Sequence, residues 1–313
     1  MNKHILTIII PAYNVETWIG QLLNNLYTNI SEEDENRFTV MIVDDGSIDS
    51  TKKEIEKYSQ HKSLQYMYKK NTGIASTRNF ALSFVDSEYF WMIDSDDLIE
   101  PNFIPYILNL LEKSKYDVVR MGYSNDLKIN NESSYNLTNE DHLLEKYLSG
   151  QIKSYIWQFI FRSDLFIKNI KFTDGIVYED LGMFYEIIKL FNKTQGIYIK
   201  NNIYKYRIRK NSIVHTLDEN VKYSIKYLMD KYTGGNSSYP SEMQFIVSSV
   251  AAQIMYDIGD YVLYKEYSRH IKITFFNSWK RIKNKFYWGK YIVVKSPQIR
   301  SIILKIKQII GRI

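Results

Sequence analysis

Residues 38–47 read Phe-Thr-Val-Met-Ile-Val-Asp-Asp-Gly-Ser, and residues 89–97 read Tyr-Phe-Trp-Met-Ile-Asp-Ser-Asp-Asp. Each stretch is a run of mostly apolar, β-branched and aromatic residues that ends in a cluster of acids. An apolar run without polar alternation predicts a strand that is buried on both faces, as in a parallel sheet. The acids therefore mark the carboxyl ends of two buried strands.

Similar strands, with helices between them, fill the first 122 residues. Further strands are predicted at residues 6–10, 64–68 and 117–121, and helices at residues 18–26, 74–84 and 101–113. Alternating strands and helices favour an α/β fold with a mostly parallel, Rossmann-like sheet. Residues 123–140 read as a long polar loop, and residues 142–210 as aromatic-rich helical pieces.

Polar clusters follow the first four strands, at the end of the sheet where a ligand is expected to bind. They are Pro11-Ala-Tyr-Asn14, Asp44-Asp-Gly-Ser47, Asn71-Thr-Gly73 and Asp94-Ser-Asp-Asp97. The Asp94-x-Asp96 pair is the strongest local signal, because hard divalent cations prefer oxygen ligands. An acidic turn that caps the next helix is the alternative interpretation.

The composition excludes several chemistries. The 313 residues contain no cysteine, which excludes disulfide scaffolds, Cys-ligated zinc, iron–sulfur clusters and thiol catalysis. No apolar run reaches the ~18 residues that a membrane-spanning helix needs. The start, Met1-Asn-Lys-His-Ile5, enters the first strand without the apolar core of a signal peptide. A cytoplasmic location is therefore expected.

The polar clusters, joined by Ala75-x-x-Arg78-Asn79, form an ordered set that resembles the family 2 glycosyltransferases. The nucleotide-sugar domain of this family has the fold called GT-A. The resemblance covers about residues 4–215 and is most specific over residues 5–97. It implies a glycosyltransferase of the kind that builds bacterial cell-surface polysaccharides or teichoic acids.

The resemblance implies a binding site for a UDP-sugar donor. Asp45 would accept a hydrogen bond from the uracil imide, and Arg78 would hold the phosphates through its planar fork. Asp96, with Asp94 beside it, would bind Mn²⁺ or Mg²⁺, and the metal would bind the diphosphate. The alternatives are a helix cap at Asp45 and a surface arginine at Arg78. The whole implied donor set is Pro11, Ala12, Tyr13, Asp45, Asn71, Gly73, Arg78, Asp94, Ser95 and Asp96.

The segment Val177-Tyr-Glu-Asp-Leu181 matches the acidic pair that supplies the catalytic base in this family. The chemistry needs a base, because an acceptor hydroxyl must lose its proton as it attacks the anomeric carbon. We assign this role to Asp180, with Glu179 beside it to orient it. Family members invert the anomeric configuration by single displacement. The alternative is plain capping of a helix over residues 181–191.

A second set of residues is predicted to face the acceptor or the phosphates. Trp157 is predicted to stack on an acceptor sugar, although core packing explains an indole equally well. Arg207 and Arg209 belong to a basic segment that resembles the family's loop after the acidic pair. They would clamp diphosphate or a phosphorylated acceptor. His215, at the end of this segment, would touch the phosphates or the metal, and a surface histidine is the alternative.

The chain ends in a basic amphipathic tail. Residues 269–313 contain twelve Lys/Arg and no Asp/Glu. Because the whole chain has a formal net charge of +6, the preceding residues together carry −6. Isoleucines form one stripe at helical spacing: Ile299, Ile302, Ile303, Ile306, Ile309, Ile310 and Ile313. This pattern favours an anionic membrane surface. An oligomer seam and packing within the chain are the alternatives, and no motif supports nucleic-acid binding.

These observations predict a GT-A catalytic domain over residues 1–215, a helical region over 216–268 and the tail over 269–313. The expected activity is a metal-dependent, inverting transfer of a hexosyl or N-acetylhexosaminyl group from a UDP-sugar. The expected acceptor is a glycan, a lipid-linked molecule or a polyol phosphate at the inner face of the cell membrane. The alternative is a non-catalytic, membrane-associated scaffold that retains the fold.

Overall fold

The computed structural model describes residues 4–132, 134–208, 219–235 and 237–276, together with Tyr291 and Val294. Arg209, His215 and most of the predicted tail lie outside these described residues. The described residues fall into two compact units. The first draws on Met1–Leu143, Ser154–Gly175 and Gly182–Ser212, and the second on Leu144–Lys153, Ile176–Leu181 and Ile213–Ile313. The domain boundaries predicted after residues 215 and 268 stay predictions.

Nine strands in the described part of the chain form one sheet, which belongs to the first unit. The strand order is β3-β2-β1-β4-β8-β6-β9-β5, and β7 pairs separately with β9. The bounds are β1 Leu6–Ala12, β2 Phe38–Asp44, β3 Leu64–Tyr68, β4 Tyr89–Met92, β5 Leu98–Ile99, β6 Val118–Ser124, β7 Leu137–Asn139, β8 Phe159–Arg162 and β9 Gly196–Lys205.

Helices connect these strands and make up the C-terminal part of the described chain. A short 3₁₀ turn at Ile156–Gln158 leads into β8. The α-helices are α1 Ile19–Tyr27, α2 Glu32–Glu35, α3 Thr51–Glu56, α4 Ile74–Leu82, α5 Phe103–Lys113, α6 Leu143–Leu148, α7 Ser163–Ile167, α8 Glu179–Phe191, α9 Glu219–Thr233, α10 Ser241–Ile258 and α11 Tyr261–Phe276.

The first four strands form the parallel half of the sheet. β1 lies between β2 and β4 and runs parallel to both, and β3 extends the sheet beyond β2. Every residue of β1, β2 and β4 is buried, which explains why these strands lack polar alternation. The predicted mixed α/β fold with a mostly parallel sheet is confirmed.

The other half of the sheet differs from the prediction. β8 lies antiparallel between β4 and β6, and β6 pairs in parallel with β9 across a bulge at Gly122. Gly122 is required there, because an added Cβ would lie 2.5 Å from the backbone oxygen of Asn201. Residues 142–210 were expected to be helical pieces, and for β8 and β9 this expectation is wrong. Their aromatic side chains pack into the core, and their sequences lack a periodic pattern from which a strand could be predicted.

A buried ion pair holds the long loop between β6 and β7. Nζ of Lys205 lies 2.6 Å from Oε1 of Glu100, and both side chains are at most 1% exposed. Glu100 also accepts hydrogen bonds from the backbone N–H groups of Asn130 and Asn131, at 3.1 Å each. A buried carboxylate is costly without such partners. The middle of the polar loop is therefore anchored to the sheet.

The second unit contains the predicted helical region, which is confirmed as helical from Glu219 to Phe276 apart from short connections. Gly259 ends α10 in a left-handed conformation (φ 84°), and its N–H donates to the backbone oxygen of Tyr256. Glycine adopts this conformation without a Cβ penalty. Within the described residues, none of the helices has both the length and the apolar character needed to cross a membrane.

Candidate active site

The loops that follow β1 and β2 are joined by hydrogen bonds. The backbone N–H of Asn14 donates to Oγ of Ser47, and Oδ1 of Asn14 accepts from the N–H of Ile48, both at 2.9 Å. Asn14 has a left-handed backbone (φ 52°), which asparagine tolerates better than most residues. The two loops thus form a connected floor at the carboxyl end of the sheet. Tyr13 belongs to the loop after β1, and 48% of its surface is exposed.

Asp45 is buried and ties the loop after β3 to this floor. Its Oδ1 accepts a hydrogen bond from the N–H of Thr72 (2.9 Å), and its Oδ2 accepts from the N–H of Gly73 (2.8 Å). Lys69 donates from Nζ to the same carboxylate. A carboxylate offers about four lone-pair positions, so Asp45 retains room for one further donor. The predicted contact with a base imide needs that position.

Gly46 permits the close approach of these two loops. Its φ is +80°, and a Cβ added there would lie 2.9 Å from the backbone nitrogen of Asn71. The side chain of Asn71 is exposed, and Pro11 and Ala12 end β1 in buried positions. The structure therefore brings the predicted base-binding residues to one edge of the sheet.

Arg78 links α4 to the acids after β4. It is only 4% exposed, which excludes the interpretation as a surface arginine. Its Nη2 lies 3.1 Å from Oδ1 of Asp94, and its guanidinium lies 5.7 Å from the ring centre of Phe172. The next residue, Asn79, donates from Nδ2 to the backbone oxygen of Phe172 at 2.8 Å. This helix thus holds both the acids and the segment around Phe172.

Residues 94–97, which we call the acid loop, contain a buried acid, Asp97, for which the sequence predicts no role. Asp97 is 1% exposed, and it accepts hydrogen bonds from Oη of Tyr204 and from the backbone N–H of Arg207, both at 2.7 Å. Burial, and then the carboxylates of Asp94 and Asp96, raise the pKa of Asp97 to about 8. The position of Asp97 beside Asp94 and Asp96 could have marked it in the sequence. Its hydrogen-bond partners are more than 100 residues away, so no sequence pattern indicated them.

The acid loop fits a divalent cation. Asp94 and Asp96 are partly exposed, whereas Ser95 between them is buried. The three carboxylates are close enough to raise the pKa of Asp97, and a bound cation would relieve this repulsion. Among the described residues, no three acids or histidines converge into a complete metal site. A cation at Asp94 and Asp96 would therefore share its coordination with a ligand such as diphosphate.

Arg207 is bound to the acid loop and to α1. Its Nε donates to the backbone oxygen of Asp96 (2.7 Å), and its Nη2 donates to Oε1 of Gln21 (2.8 Å). The guanidinium also lies 4.4 Å from the ring centre of Trp18. These contacts hold the main chain of the predicted metal ligand in place. Arg209 and His215, predicted to act with Arg207, lie outside the described residues.

Trp157 is a core residue in this structure. It is 4% exposed, and its backbone oxygen accepts a hydrogen bond from Nε1 of Trp91 at 2.7 Å. Its indole stacks on the buried ring of Tyr204, with ring centres 4.2 Å apart. Of the two interpretations of Trp157, the geometry favours packing over direct stacking on a sugar.

The predicted catalytic pair opens α8, and both of its residues belong to the second unit. Glu179 is buried and Asp180 is partly exposed, and both lie in the first turn of the helix. Oδ1 of Asp180 accepts a hydrogen bond from the N–H of Leu181 at 2.6 Å. The preceding Tyr178 has a left-handed backbone (φ 63°), an uncommon conformation that often marks functional sites. A helix N-terminus favours an ionised carboxylate, as a general base requires.

The chain matches the model of the family described as glycosyl transferase family 2 over residues 7–167, slightly more than half of its length. It belongs to this family. Among curated relatives, glycosyltransferase GlyA of Streptococcus pneumoniae serotype 4 is 25% identical over 295 residues. The match covers 84% of this chain, but this chain spans only 40% of the length of GlyA.

Solved structures agree with the GT-A fold. Residues 1–349 of S. aureus TarS, in complex with UDP-GlcNAc, superpose with a TM-score of 0.55 at 19% identity. The match covers 93% of this chain and 79% of that one. The mannosyltransferase PcManGT from Pyrobaculum calidifontis, in complex with GDP-Man and Mn²⁺, gives a TM-score of 0.52 at 14% identity over 83% of this chain and 74% of that one.

Replacement of Gly46 tests whether the close approach of the loops is a constraint. Gly46→Ala should lower the free energy of unfolding by about 1–3 kcal/mol more than Gly175→Ala, because only the first collides with a neighbour. Both glycines have a positive φ (+80° and +74°), but nothing lies within 4 Å of a Cβ at Gly175. Urea unfolding followed by circular dichroism measures the difference. Equal losses for the two variants would show that the loop after β3 moves aside freely.

Proposed function

We propose that the protein is a metal-dependent, inverting glycosyltransferase. It moves a hexosyl or N-acetylhexosaminyl group from a UDP-sugar to a hydroxyl of an acceptor in cell-surface polymer synthesis. The observation that carries this proposal is the meeting of three features at one sheet edge. These are the Asp45-bound loop, the ion pair between buried Arg78 and partly exposed Asp94, and the acid loop. Membership of the family and the UDP-GlcNAc complex of TarS support it.

In this proposal the nucleotide lies across the loops after β1, β2 and β3. Tyr13 offers an exposed ring to the base, and Asp45 has an acceptor position left for the uracil imide. Arg78 is held by Asp94 with its guanidinium at the acid loop. A diphosphate bound there would compete with Asp94 for the guanidinium, because carboxylate and phosphate oxygens both accept charge-assisted hydrogen bonds from arginine.

Asp96 and Asp94 are the proposed ligands of a divalent cation. When bound, Mn²⁺ or Mg²⁺ supplies positive charge that stabilises the departing diphosphate. Arg207 fixes the backbone oxygen of Asp96 and so sets the direction from which its carboxylate projects. Asp180 is the proposed general base that takes the proton from the acceptor hydroxyl, with Glu179 as its neighbour.

Asp96→Asn tests the proposed metal site. The wild-type protein should bind UDP more tightly with Mn²⁺ than without it. In the variant this gain should fall by at least about tenfold, equal to about 1.4 kcal/mol, because an amide is a weaker ligand than a carboxylate. Calorimetry of UDP with and without Mn²⁺ measures the gain. Asp86→Asn, an exposed acid just before β4, is the matched control. An unchanged gain in the Asp96 variant would refute the assignment.

Asp180→Asn tests the proposed base. Donor affinity should stay within about twofold of wild type, whereas transfer should fall by roughly 100-fold or more, as when a general base is removed. UDP release with a crude acceptor pool measures transfer. Glu186→Gln, on the same helix, should leave transfer unchanged. Near-normal turnover in the Asp180 variant would move the base elsewhere, with Glu179 as the first candidate.

We also propose that the tail holds the protein at the inner face of the cell membrane. Its charge and isoleucine stripe are sequence observations, since the stripe lies outside the described residues. Val294 is buried, and its backbone oxygen accepts a hydrogen bond from Oη of Tyr264. A truncation that tests the stripe should therefore leave Val294 in place.

Ending the chain after Gln298 removes the isoleucine stripe and four cations but keeps Val294. Full-length protein should float with anionic vesicles at low salt and be released at high salt, because screening weakens surface attraction. The shortened protein should bind them much less. The oligomer alternative predicts instead that the shortened protein loses mass in light scattering. Failure of full-length protein to float, combined with such a mass loss, would exclude the membrane role.

A further inference from the structure

A stack of aromatic rings lies beside the acid loop. Trp157 is its centre, with ring centres of Tyr204, Tyr155 and Tyr206 at 4.2, 4.9 and 5.6 Å. The ring planes of these three tyrosines lie within 14° of the indole plane. Trp157 and Tyr204 are buried, whereas Tyr155 and Tyr206 are partly exposed. We call this pair of tyrosines the aromatic platform.

The two platform rings are close to parallel. Their centres are 6.3 Å apart and their planes differ by 10°. Rings on opposite faces of the indole would be separated by about twice the ~3.5 Å contact distance, or roughly 7 Å. Tyr155 and Tyr206 are closer than that, so they do not sandwich the indole between them. Tyr123 packs edge-on against Trp157 at 5.1 Å and supports the same surface from the side.

The platform adjoins the acid loop through the segment that follows β9. Tyr206 lies between Tyr204, whose Oη donates to Asp97, and Arg207, whose N–H donates to the same carboxylate. Burial, and then Asp97 and Asp94, raise the pKa of Tyr206 to about 12, as expected for a phenol close to these acids. In the strand order, β8 and β9 lie beyond β4, opposite β1, β2 and β3.

The face of an aromatic ring has a specific chemical preference. The face of an aromatic ring carries partial negative charge, so it attracts the weakly positive C–H groups on one face of a pyranose. An acyclic polyol phosphate has no such face, and it needs cations for its phosphate. Of the two arginines predicted to bind a phosphate, only Arg207 lies among the described residues. Its guanidinium is engaged by Asp96, Gln21 and Trp18 instead.

We infer that Tyr155 and Tyr206 form the acceptor subsite, and that the acceptor presents a pyranose ring rather than a polyol phosphate. This inference rests on the proposed function and narrows its acceptor class. It also transfers the stacking role predicted for Trp157 to the two tyrosines that this indole supports. The acid loop then adjoins both the proposed nucleotide site and the proposed acceptor subsite.

Binding of small probes to the full chain tests this inference. The probes are the methyl pyranosides of glucose, galactose and N-acetylglucosamine, with ribitol 5-phosphate as the acyclic alternative. Each is added to protein saturated with UDP and Mn²⁺, and saturation-transfer NMR reports binding. At least one pyranoside should bind through one face of its ring, and ribitol 5-phosphate should not compete with it.

Variants locate the binding surface. Tyr155→Leu should weaken pyranoside binding by about tenfold, because it keeps apolar bulk but removes the ring face, whereas Tyr155→Phe should retain it. Tyr206→Leu should behave like Tyr155→Leu. Tyr223→Leu, an exposed tyrosine on α9, is the matched control. Thermal unfolding of each variant checks that a loss of binding is not a loss of fold.

The outcomes separate this inference from the proposed function. If UDP does not bind at all, the glycosyltransferase proposal itself fails. If UDP binds but only ribitol 5-phosphate is recognised, the acceptor is a polyol phosphate and the pyranose inference is wrong. If no probe binds in the presence of UDP, or if both leucine variants bind a pyranoside as well as wild type, the stack is only a packed core.

Discussion

The hydrogen bonds to the carboxylate of Asp97 organise the site on which this account depends. This acid is buried directly before β5, where it would be costly without partners. Tyr204 and Arg207, at and just beyond the end of β9, supply those partners at 2.7 Å each. The interaction ties the loop after β4 to β9, a strand that the sequence patterns did not reveal. It thereby fixes the acid loop, and with it the direction of Asp94 and Asp96.

Two groups of residues adjoin the acid loop that this interaction fixes. On one side, Asp45 gathers the loop after β3 and Gly46 lets it approach closely, which creates an edge suited to a nucleotide. On the other side, Tyr206 directly follows β9, the strand that carries Tyr204, and joins Tyr155 in the aromatic stack. In the proposed function, the donor site and the acceptor subsite both adjoin this loop, as a direct transfer between them requires.

The parallel strands and the residues at their carboxyl ends were readable from the sequence, because buried parallel strands leave uninterrupted apolar runs followed by polar residues. β8 and β9 were not readable, since their aromatic residues serve a core that forms only when distant segments meet. The same distance hid the role of Asp97, whose partner Tyr204 lies 107 residues away. Arg207 was recognised as a functional arginine, but its contacts with Trp18 and Gln21 follow only from the fold.

The most direct measurement is thermal unfolding of the full chain with a panel of nucleotide sugars, each with and without Mn²⁺. A true donor stabilises the folded state by mass action, by about 2.7 kcal/mol at 100 times its Kd. The account predicts that a UDP-sugar raises the unfolding temperature by several degrees, that Mn²⁺ enlarges this shift, and that GDP-mannose gives a smaller one. Equal shifts for all nucleotides, or no shift with any UDP-sugar, would contradict the assignment of this sheet edge as a UDP-sugar site.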